Sequence, residues 1–203
     1  MPGRMFLTTP LPEIAVKLGA TLEGLGDEPA RLNIAPGETI AVLEQGHLIQ
    51  MRWGILPVAR KNARGRPVME TIINARSETV FDKTAFEGVR RCVVPVDGWY
   101  EWTGETRKKT VWRIAMKDET PLYFAAIADT WVGPGGIKLD QVATVTCPPN
   151  ADLKDIHHRM GVLLRRDDIG VWLGEDEAAA RALMVPWPDG LLDIRKTEDP
   201  GAI

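Results

Sequence analysis

Two ionisable side chains stand in surroundings that suit proton transfer. Glu101 lies between aromatic residues in segment 97–102 (DGWYEW), and His157 lies in segment 156–160 (IHHRM). A carboxyl group desolvated among aromatic rings has a raised pKa, and histidine titrates near neutral pH. Both can act as general acid or base. A solvent-facing glutamate and a structural histidine are the ordinary alternatives.

Five short segments stand out, and arginine occurs together with tryptophan or tyrosine in two of them, 52–57 and 90–102. The five segments are 33–36 (NIAP), 52–57 (RWGILP), 74–79 (NARSET), 90–102 (RRCVVPVDGWYEW) and 156–160 (IHHRM). A guanidinium group pairs with phosphate and an aromatic ring stacks on a base, so this combination suits nucleic acid. A core position is the alternative for any single tryptophan.

Composition favours a soluble globular protein. The chain has 203 residues, of which 44% are hydrophobic and 26% charged. Without a run of about 20 apolar residues or an apolar signal region, we expect no membrane span and a cytoplasmic location. The net charge of −3 argues against a broadly basic DNA-binding domain. Arginines crowd between residues 52 and 91 and acidic residues after 166, which leaves room for one cationic face.

The two cysteines, Cys92 and Cys147, are too sparse for a disulfide framework. With no CxxC motif and no Cys/His cluster, we expect no metal site. Cys92 lies in an apolar run and is predicted to be a core residue.

Local patterns predict several elements in the first half of the chain. Apolar spacing predicts a helix over 11–20, and strands 39–43 and 47–53 flank the turn signal 44–46 as a hairpin. Segment 61–67 is basic, contains two glycines and is predicted to be an exposed loop. Ser77 could cap a short helix over 77–81.

The second half is dominated by short strands. We expect strands at 92–94, 99–102, 110–116, 122–128 and 141–146, a short helical stretch over 151–156 capped by Asn150, and helices near 167–173 and 176–183. There is no regular alternation of strands and helices. The prediction is an α+β fold with a largely antiparallel, barrel-like sheet and a few peripheral helices.

Together and in this order, the five segments resemble the SOS-response-associated peptidase (SRAP) family, from residue 1 to about residue 175. The resemblance implies one SRAP-type domain over 1–203 that binds single-stranded DNA, especially at 3′-ended junctions. It also implies action on abasic sites, a monomer, and no metal or organic cofactor. In this family an N-terminal cysteine, exposed by removal of the initiator methionine, joins the abasic aldehyde as a thiazolidine.

The chain departs from the family at that nucleophile, because Pro2 stands where the family has cysteine. Proline has no thiol, so we expect no stable thiazolidine crosslink. If Met1 is removed, the Pro2 nitrogen is a secondary amine that could form an iminium ion with the aldehyde. The alternatives are a lyase or transient crosslink through Pro2, and a non-catalytic DNA-binding module. A peptidase is less favoured, because no Ser or Cys has a recognisable triad setting.

The resemblance implies roles for the remaining catalytic candidates. Glu101 would lie beside the N-terminal amine, take its proton and later protonate the sugar ring oxygen. His157 would act as acid or base on the sugar hydroxyls, whereas His158, on an extended chain, would point the other way. Asn74 would hold the sugar or the N-terminus. Gly161 replaces the family's usual proline, so we expect a looser backbone there.

The resemblance also implies a set of DNA contacts. Arg4, Arg76 and Arg159 would contact phosphates, and Trp53 and Trp102 would stack on bases.

Overall fold

The computed structural model describes residues 2–26, 28–56, 71–83, 86–105 and 108–201. The basic loop predicted at 61–67 lies outside these residues. Among them, no helix is long and apolar enough to cross a membrane.

One sheet has five strands, all paired antiparallel. They are β1 (Arg4–Leu7), β3 (Arg31–Ile34), β8 (Gly98–Thr103), β9 (Thr110–Met116) and β13 (Leu192–Thr197). Their order across the sheet is β13-β9-β8-β1-β3. This sheet brings the start of the chain beside β8, which carries Glu101.

The second sheet contains β2 (Thr21–Leu22), β4 (Thr39–Glu44), β5 (His47–Trp53), β6 (Asn74–Arg76), β7 (Arg90–Val96), β10 (Leu122–Val132), β11 (Lys138–Cys147) and β12 (Met160–Gly161). The order is β12-β11-β10-β7-β4-β5-β2, with β6 paired to β11. Strand β5 also pairs with β11 in parallel, so β11, β10, β7, β4 and β5 close into a barrel. The predicted barrel-like, largely antiparallel α+β fold is confirmed.

The helices lie outside the sheets. They are α1 (Leu11–Leu18), α2 (Ile169–Leu173) and α3 (Glu177–Ala182). Helix α1 has Pro12 in its first turn and ends at Gly19, whose φ of 65° is the left-handed conformation that glycine adopts without strain. Each of the three helices coincides with a predicted helix to within a few residues.

Two other helix predictions are wrong. Residues 77–82 form hydrogen-bonded turns, in which the amide of Ser77 bonds the Thr146 carbonyl across the structure instead of starting a helix. Residues 151–156 also form turns. There the predicted cap does exist, because the Asn150 side chain accepts a hydrogen bond from the Leu153 amide at 3.2 Å. Both segments are too short to add the hydrogen bonds that sustain a helix.

The core is shared between the barrel and the five-stranded sheet. Trp99 on β8 and Phe124 on β10 are both fully buried, with ring centroids 5.6 Å apart in an edge-on arrangement. Cys92 and Cys147 are also fully buried, which confirms the core prediction for Cys92. The two sheets are thus packed through their apolar faces, which fixes β8 relative to β11.

Candidate active site

Strand pairing positions the N-terminal segment beside Glu101. In the antiparallel pair of β1 and β8, Arg4 lies opposite Tyr100 and Phe6 opposite Gly98. One further step of this register brings Gly3 opposite Glu101. The chain leading into β1 therefore runs directly past the Glu101 carboxyl group.

Two residues of the 97–102 segment hold β1 in this register. The Asp97 carboxylate accepts hydrogen bonds from the backbone N–H groups of Thr8 and Thr9, at 2.6 and 2.7 Å, and from both hydroxyls. At Gly98, a Cβ atom would lie 2.5 Å from the Phe6 ring, so only glycine allows β1 to approach this closely. Asp97 and Gly98 thus serve the site by holding β1 against β8.

Glu101 is the buried acid of the site, with 5% of its surface exposed. Desolvation raises the pKa of Glu101 to about 7, and the positive charge of the chain's amino terminus acts in the opposite direction. The predicted raised pKa is confirmed. Near neutral pH this carboxyl group is present in both protonation states, which suits a group that must take up and return a proton.

Asn74 holds the backbone of Pro2. Its side-chain NH2 group donates to the Pro2 carbonyl oxygen at 2.9 Å. The hydroxyl of Thr144 donates to the amide oxygen of Asn74, which fixes the orientation of the amide. Strand β6 pairs in parallel with β11, placing Asn74 opposite Thr144, so the contact depends on that pairing. Pro2 itself is buried.

His157 follows the turns that begin at Asn150, and its own amide bonds the Leu153 carbonyl at 2.9 Å. Desolvation, followed by the charge of the amino terminus, lowers the pKa of His157 to about 4. Nδ1 lies 2.9 Å from the Arg159 amide nitrogen and 3.0 Å from the Arg159 carbonyl oxygen, so the Arg159 backbone can donate to it or accept from it. When Nδ1 carries the proton and donates to the carbonyl, Nε2 is left free to accept a proton. At physiological pH His157 is therefore neutral and able to accept a proton.

Two expectations around His157 are wrong. His158 does not point away from His157: the two rings stack with centroids 4.4 Å apart, because the chain bends here and is not extended. Gly161 is not in a loose segment, since it lies in β12 opposite Thr146. A Cβ at Gly161 would lie 2.1 Å from the ring of Phe124, so the glycine leaves room for that ring.

Arg159 is unsuited to the phosphate contact expected of it. Only 8% of the residue is exposed, and its guanidinium group forms a two-pronged ion pair with Glu78 and a hydrogen bond to the Thr146 carbonyl. The guanidinium group holds the pKa of Glu78 down at about 2. The pair ties the turn after β6 to the segment carrying His157, so Arg159 positions the site instead of reaching into solvent.

Trp53 cannot stack on a base in this structure, so that expectation is wrong. It is fully buried and its indole N–H donates to the Ile73 carbonyl at 3.1 Å. The other candidates do reach the surface. Arg76 is exposed, while Arg4 and Trp102 are partly exposed on the five-stranded sheet. Arg4 and Trp102 lie on adjacent strands, β1 and β8.

Three further residues complete the site, and none of them was predicted from the sequence. Thr144 orients Asn74, Glu78 anchors Arg159, and Asn33 accepts a hydrogen bond from Arg4 at 2.9 Å. Asn33 lies in segment 33–36 and Glu78 in segment 74–79, so their position in the sequence could have indicated them. Thr144 lies in an ordinary apolar strand and only the pairing of β11 with β6 reveals it.

The arrangement can support amine and aldehyde chemistry with proton transfer. A buried acid that titrates near neutrality and a neutral imidazole both feel the charge of the amino terminus. Among the described residues, no group of three or more His, Cys, Asp or Glu side chains could hold a metal ion.

Comparison with known proteins places this site in a family. A family model described as SOS response associated peptidase (SRAP) matches residues 1–199. Abasic site processing protein YoaM of Bacillus subtilis is 31% identical over 173 residues, which are 80% of this chain and 75% of that protein. Abasic site processing protein YedK of Escherichia coli is 30% identical over 159 residues, covering 75% and 68% of the two chains.

Solved structures share the fold. An X-ray structure of a protein from Bacteroides thetaiotaomicron superposes with a TM-score of 0.84 over 97% of this chain and 92% of that one, at 21% sequence identity. With the family model covering nearly every residue from the first strand to the last, the chain belongs to the SOS response associated peptidase (SRAP) family.

Proposed function

We propose that this protein recognises abasic sites in single-stranded DNA and reacts with them through the amine of Pro2. The observation that carries the proposal is the convergence of Asn74, Glu101 and His157 on the start of the chain. Asn74 binds the Pro2 carbonyl, and the charge of the amino terminus, which belongs to Met1 before its removal, is among the causes that set the pKa values of both Glu101 and His157. The relatives YoaM and YedK carry names that assign them to abasic sites.

The first step requires Met1 to be removed, which leaves the Pro2 nitrogen as a free secondary amine. An α-amine has a pKa near 8, so a useful fraction is neutral at physiological pH. The nitrogen adds to C1′ of the open-chain aldehyde, and Glu101 takes the proton that the nitrogen sheds. The protonated Glu101 then donates to the departing hydroxyl group. Water leaves and an iminium ion remains.

The iminium ion of a secondary amine has no N–H proton to lose, so it stays cationic. It withdraws electrons from the sugar and acidifies the C2′ hydrogen. A neutral His157 is suited to accept that proton. The C2′–C3′ double bond then forms as the C3′–O bond breaks and the 3′ phosphate departs. Water hydrolyses the iminium ion, releasing the unsaturated aldehyde and regenerating the amine. No step needs an oxidant or a reductant.

A thiazolidine cannot form on this chain. That ring requires an amine and a thiol on one residue, and Pro2 carries no thiol. Cys92 and Cys147 are fully buried, and burial raises the pKa of the Cys147 thiol to about 12. Neither thiol is available to trap the iminium ion. The proposed covalent complex is therefore transient.

The exposed cations and aromatic rings suit a single strand. Arg76 and Arg4 would contact phosphates, and Trp102 would stack on an unpaired base. Single-stranded DNA exposes its bases to such stacking, whereas a duplex does not. All these groups come from one copy of the chain, so we propose that it acts as a monomer.

Reductive trapping tests the chemistry. The processed protein, with Pro2 established as the first residue by Edman degradation, is incubated with a single-stranded oligonucleotide containing one abasic site. With borohydride we expect a covalent complex; without it, no heat-stable adduct should accumulate. Pro2→Cys should yield a stable adduct without reductant.

The control is the same protein with removal of Met1 blocked, in which no trapped complex should carry the sugar on Pro2. If the processed protein gives no trapped complex and Pro2→Cys gives no adduct, the amine chemistry is wrong. A non-catalytic DNA-binding module would then be the better description, provided that single-stranded DNA still binds.

A further inference from the structure

The chain leaves β13 at Thr197 and crosses the surface that carries two of the proposed DNA contacts. We call residues 198–201 the C-terminal segment; it contains Glu198 and Asp199. The Asp199 carboxylate accepts a hydrogen bond from the Trp102 indole N–H at 3.4 Å. The Pro200 carbonyl accepts one from the Asn33 side-chain amide at 3.1 Å.

The C-terminal segment also lies against Arg4. A Cβ built on Gly201 would lie 3.8 Å from the Arg4 guanidinium group and 4.0 Å from the Asn33 amide nitrogen. Arg4 donates to Asn33. Within the part of the chain that the structure describes, Arg4 has no carboxylate within ion-pair distance. Among the described residues, its positive charge is thus not neutralised by an ion pair, and its printed hydrogen-bond partner is the uncharged Asn33 side chain.

The donors and acceptors of this contact match those of a nucleic-acid backbone. The segment's oxygen atoms accept hydrogen bonds from the Asn33 amide and the Trp102 indole N–H, and the Arg4 guanidinium group lies beside Gly201 of the same segment. Phosphodiester oxygens accept hydrogen bonds from the same donors, and more strongly from a cation. The Asp199 carboxylate and the Pro200 carbonyl thus occupy the donors of Trp102 and Asn33 beside Arg4, where phosphodiester oxygens could bind instead.

The contact is weak enough to be exchanged. A separation of 3.4 Å is at the long limit for a hydrogen bond, and Asp199 is exposed to solvent. The segment is held in shape by one short-range bond, from the Gly201 amide to Asp199 at 2.9 Å. Strand β13 ends at Thr197, so movement of the segment breaks no strand pairing.

We propose that Arg4, Asn33 and Trp102 form a phosphodiester subsite, and that the C-terminal segment occupies it until single-stranded DNA displaces the segment. This rests on the DNA binding proposed above and adds its regulation. It also assigns a role to Asn33, which lies in segment 33–36. Since a covered subsite must open before DNA binds, the apparent dissociation constant rises as the open fraction falls.

The experiment measures the affinity of the full chain and three variants for an intact single-stranded oligonucleotide at low salt, by fluorescence anisotropy. One variant ends at Thr197, and a second is Asp199→Asn. The third, Glu175→Gln, is the matched control, because it removes one exposed carboxylate outside the five-stranded sheet. Thermal unfolding of each variant checks that the fold is intact.

We expect the chain ending at Thr197 to bind about fivefold more tightly, the upper range for one exposed charge contact. Asp199→Asn should move in the same direction and Glu175→Gln should match the parent. Equal affinities for all four proteins would overturn the displacement while leaving the proposed DNA binding intact. If Glu175→Gln gained as much affinity as Asp199→Asn, the gain would come from the change in net charge, and this result would overturn the displacement as well. If neither the parent nor the shortened chain binds, the proposed DNA binding fails and the subsite with it.

Discussion

Replacing Glu101 by glutamine should make the protein more stable at high pH. Desolvation raises the pKa of Glu101 from 4.5 to about 7. Between these values the folded protein holds a proton that the unfolded chain releases, so the contribution of this group to stability falls as pH rises. The difference corresponds to roughly 3 kcal/mol once pH exceeds 7. Glutamine has nearly the same shape and no charge, so the variant escapes that cost.

The assay is urea unfolding of parent and Glu101→Gln at pH 4.5, 6 and 8. We expect the two free energies of unfolding to be similar at pH 4.5 and the variant to be ahead by up to about 3 kcal/mol at pH 8. His157 titrates in both proteins, and its contribution largely cancels in the difference. Glu105→Gln, at an exposed position two residues past β8, is the control and should show no such trend. A difference that does not change with pH would refute the buried, titrating Glu101.

Three further outcomes follow from the site. Arg76→Ala should weaken binding to single-stranded DNA of any sequence and reduce by about 0.7 the slope of the logarithm of the binding constant against the logarithm of the salt concentration. Lys138→Ala, about 26 Å away along β11, should change neither. Titrations at several salt concentrations measure both quantities. His157→Ala should slow processing of abasic DNA about 10²–10⁴-fold, with unchanged affinity for intact strands, in single-turnover assays. Glu78→Gln should lower the free energy of unfolding by about 2 kcal/mol at pH 7, because Arg159 stays buried without its counter-ion; solvent at the half-exposed Glu78 site reduces the loss. The parent's advantage over the variant should disappear as the pH falls from about 4.5 to about 2. Equal free energies of unfolding for parent and variant at pH 7 would contradict the ion pair.

The chemistry of Glu101 was predictable because its neighbours in sequence are also its neighbours in space. Trp99, two residues before Glu101 on β8, lies on the same face of the strand and is fully buried, whereas Tyr100 and Trp102 lie on the other face. The barrel was predictable for a similar reason, since its strands β10 and β11 carry strong strand patterns with a clear turn signal, residues 133–136, between them. The hairpin of β4 and β5 has the same local origin.

Other features depend on contacts that no local pattern encodes. Arg159 and Trp53 sit beside residues typical of nucleic-acid contacts, but burial decides their roles, and burial is set by distant partners such as Glu78 and Ile73. Three of the six residues of strand β13 are charged, and the strand is stabilised by pairing with β9 at the edge of its sheet. The sequence therefore indicates which residues matter better than it indicates which of them face the substrate.

The most direct test is to locate the covalent bond in the reductively trapped complex. After borohydride reduction and nuclease treatment, trypsin should release the peptide of residues 2–4, since Arg4 supplies the cleavage site. Mass spectrometry should find the reduced sugar on this tripeptide, attached to the Pro2 nitrogen. A sugar found on a lysine elsewhere in the chain, with an unmodified tripeptide, would contradict Pro2 as the nucleophile.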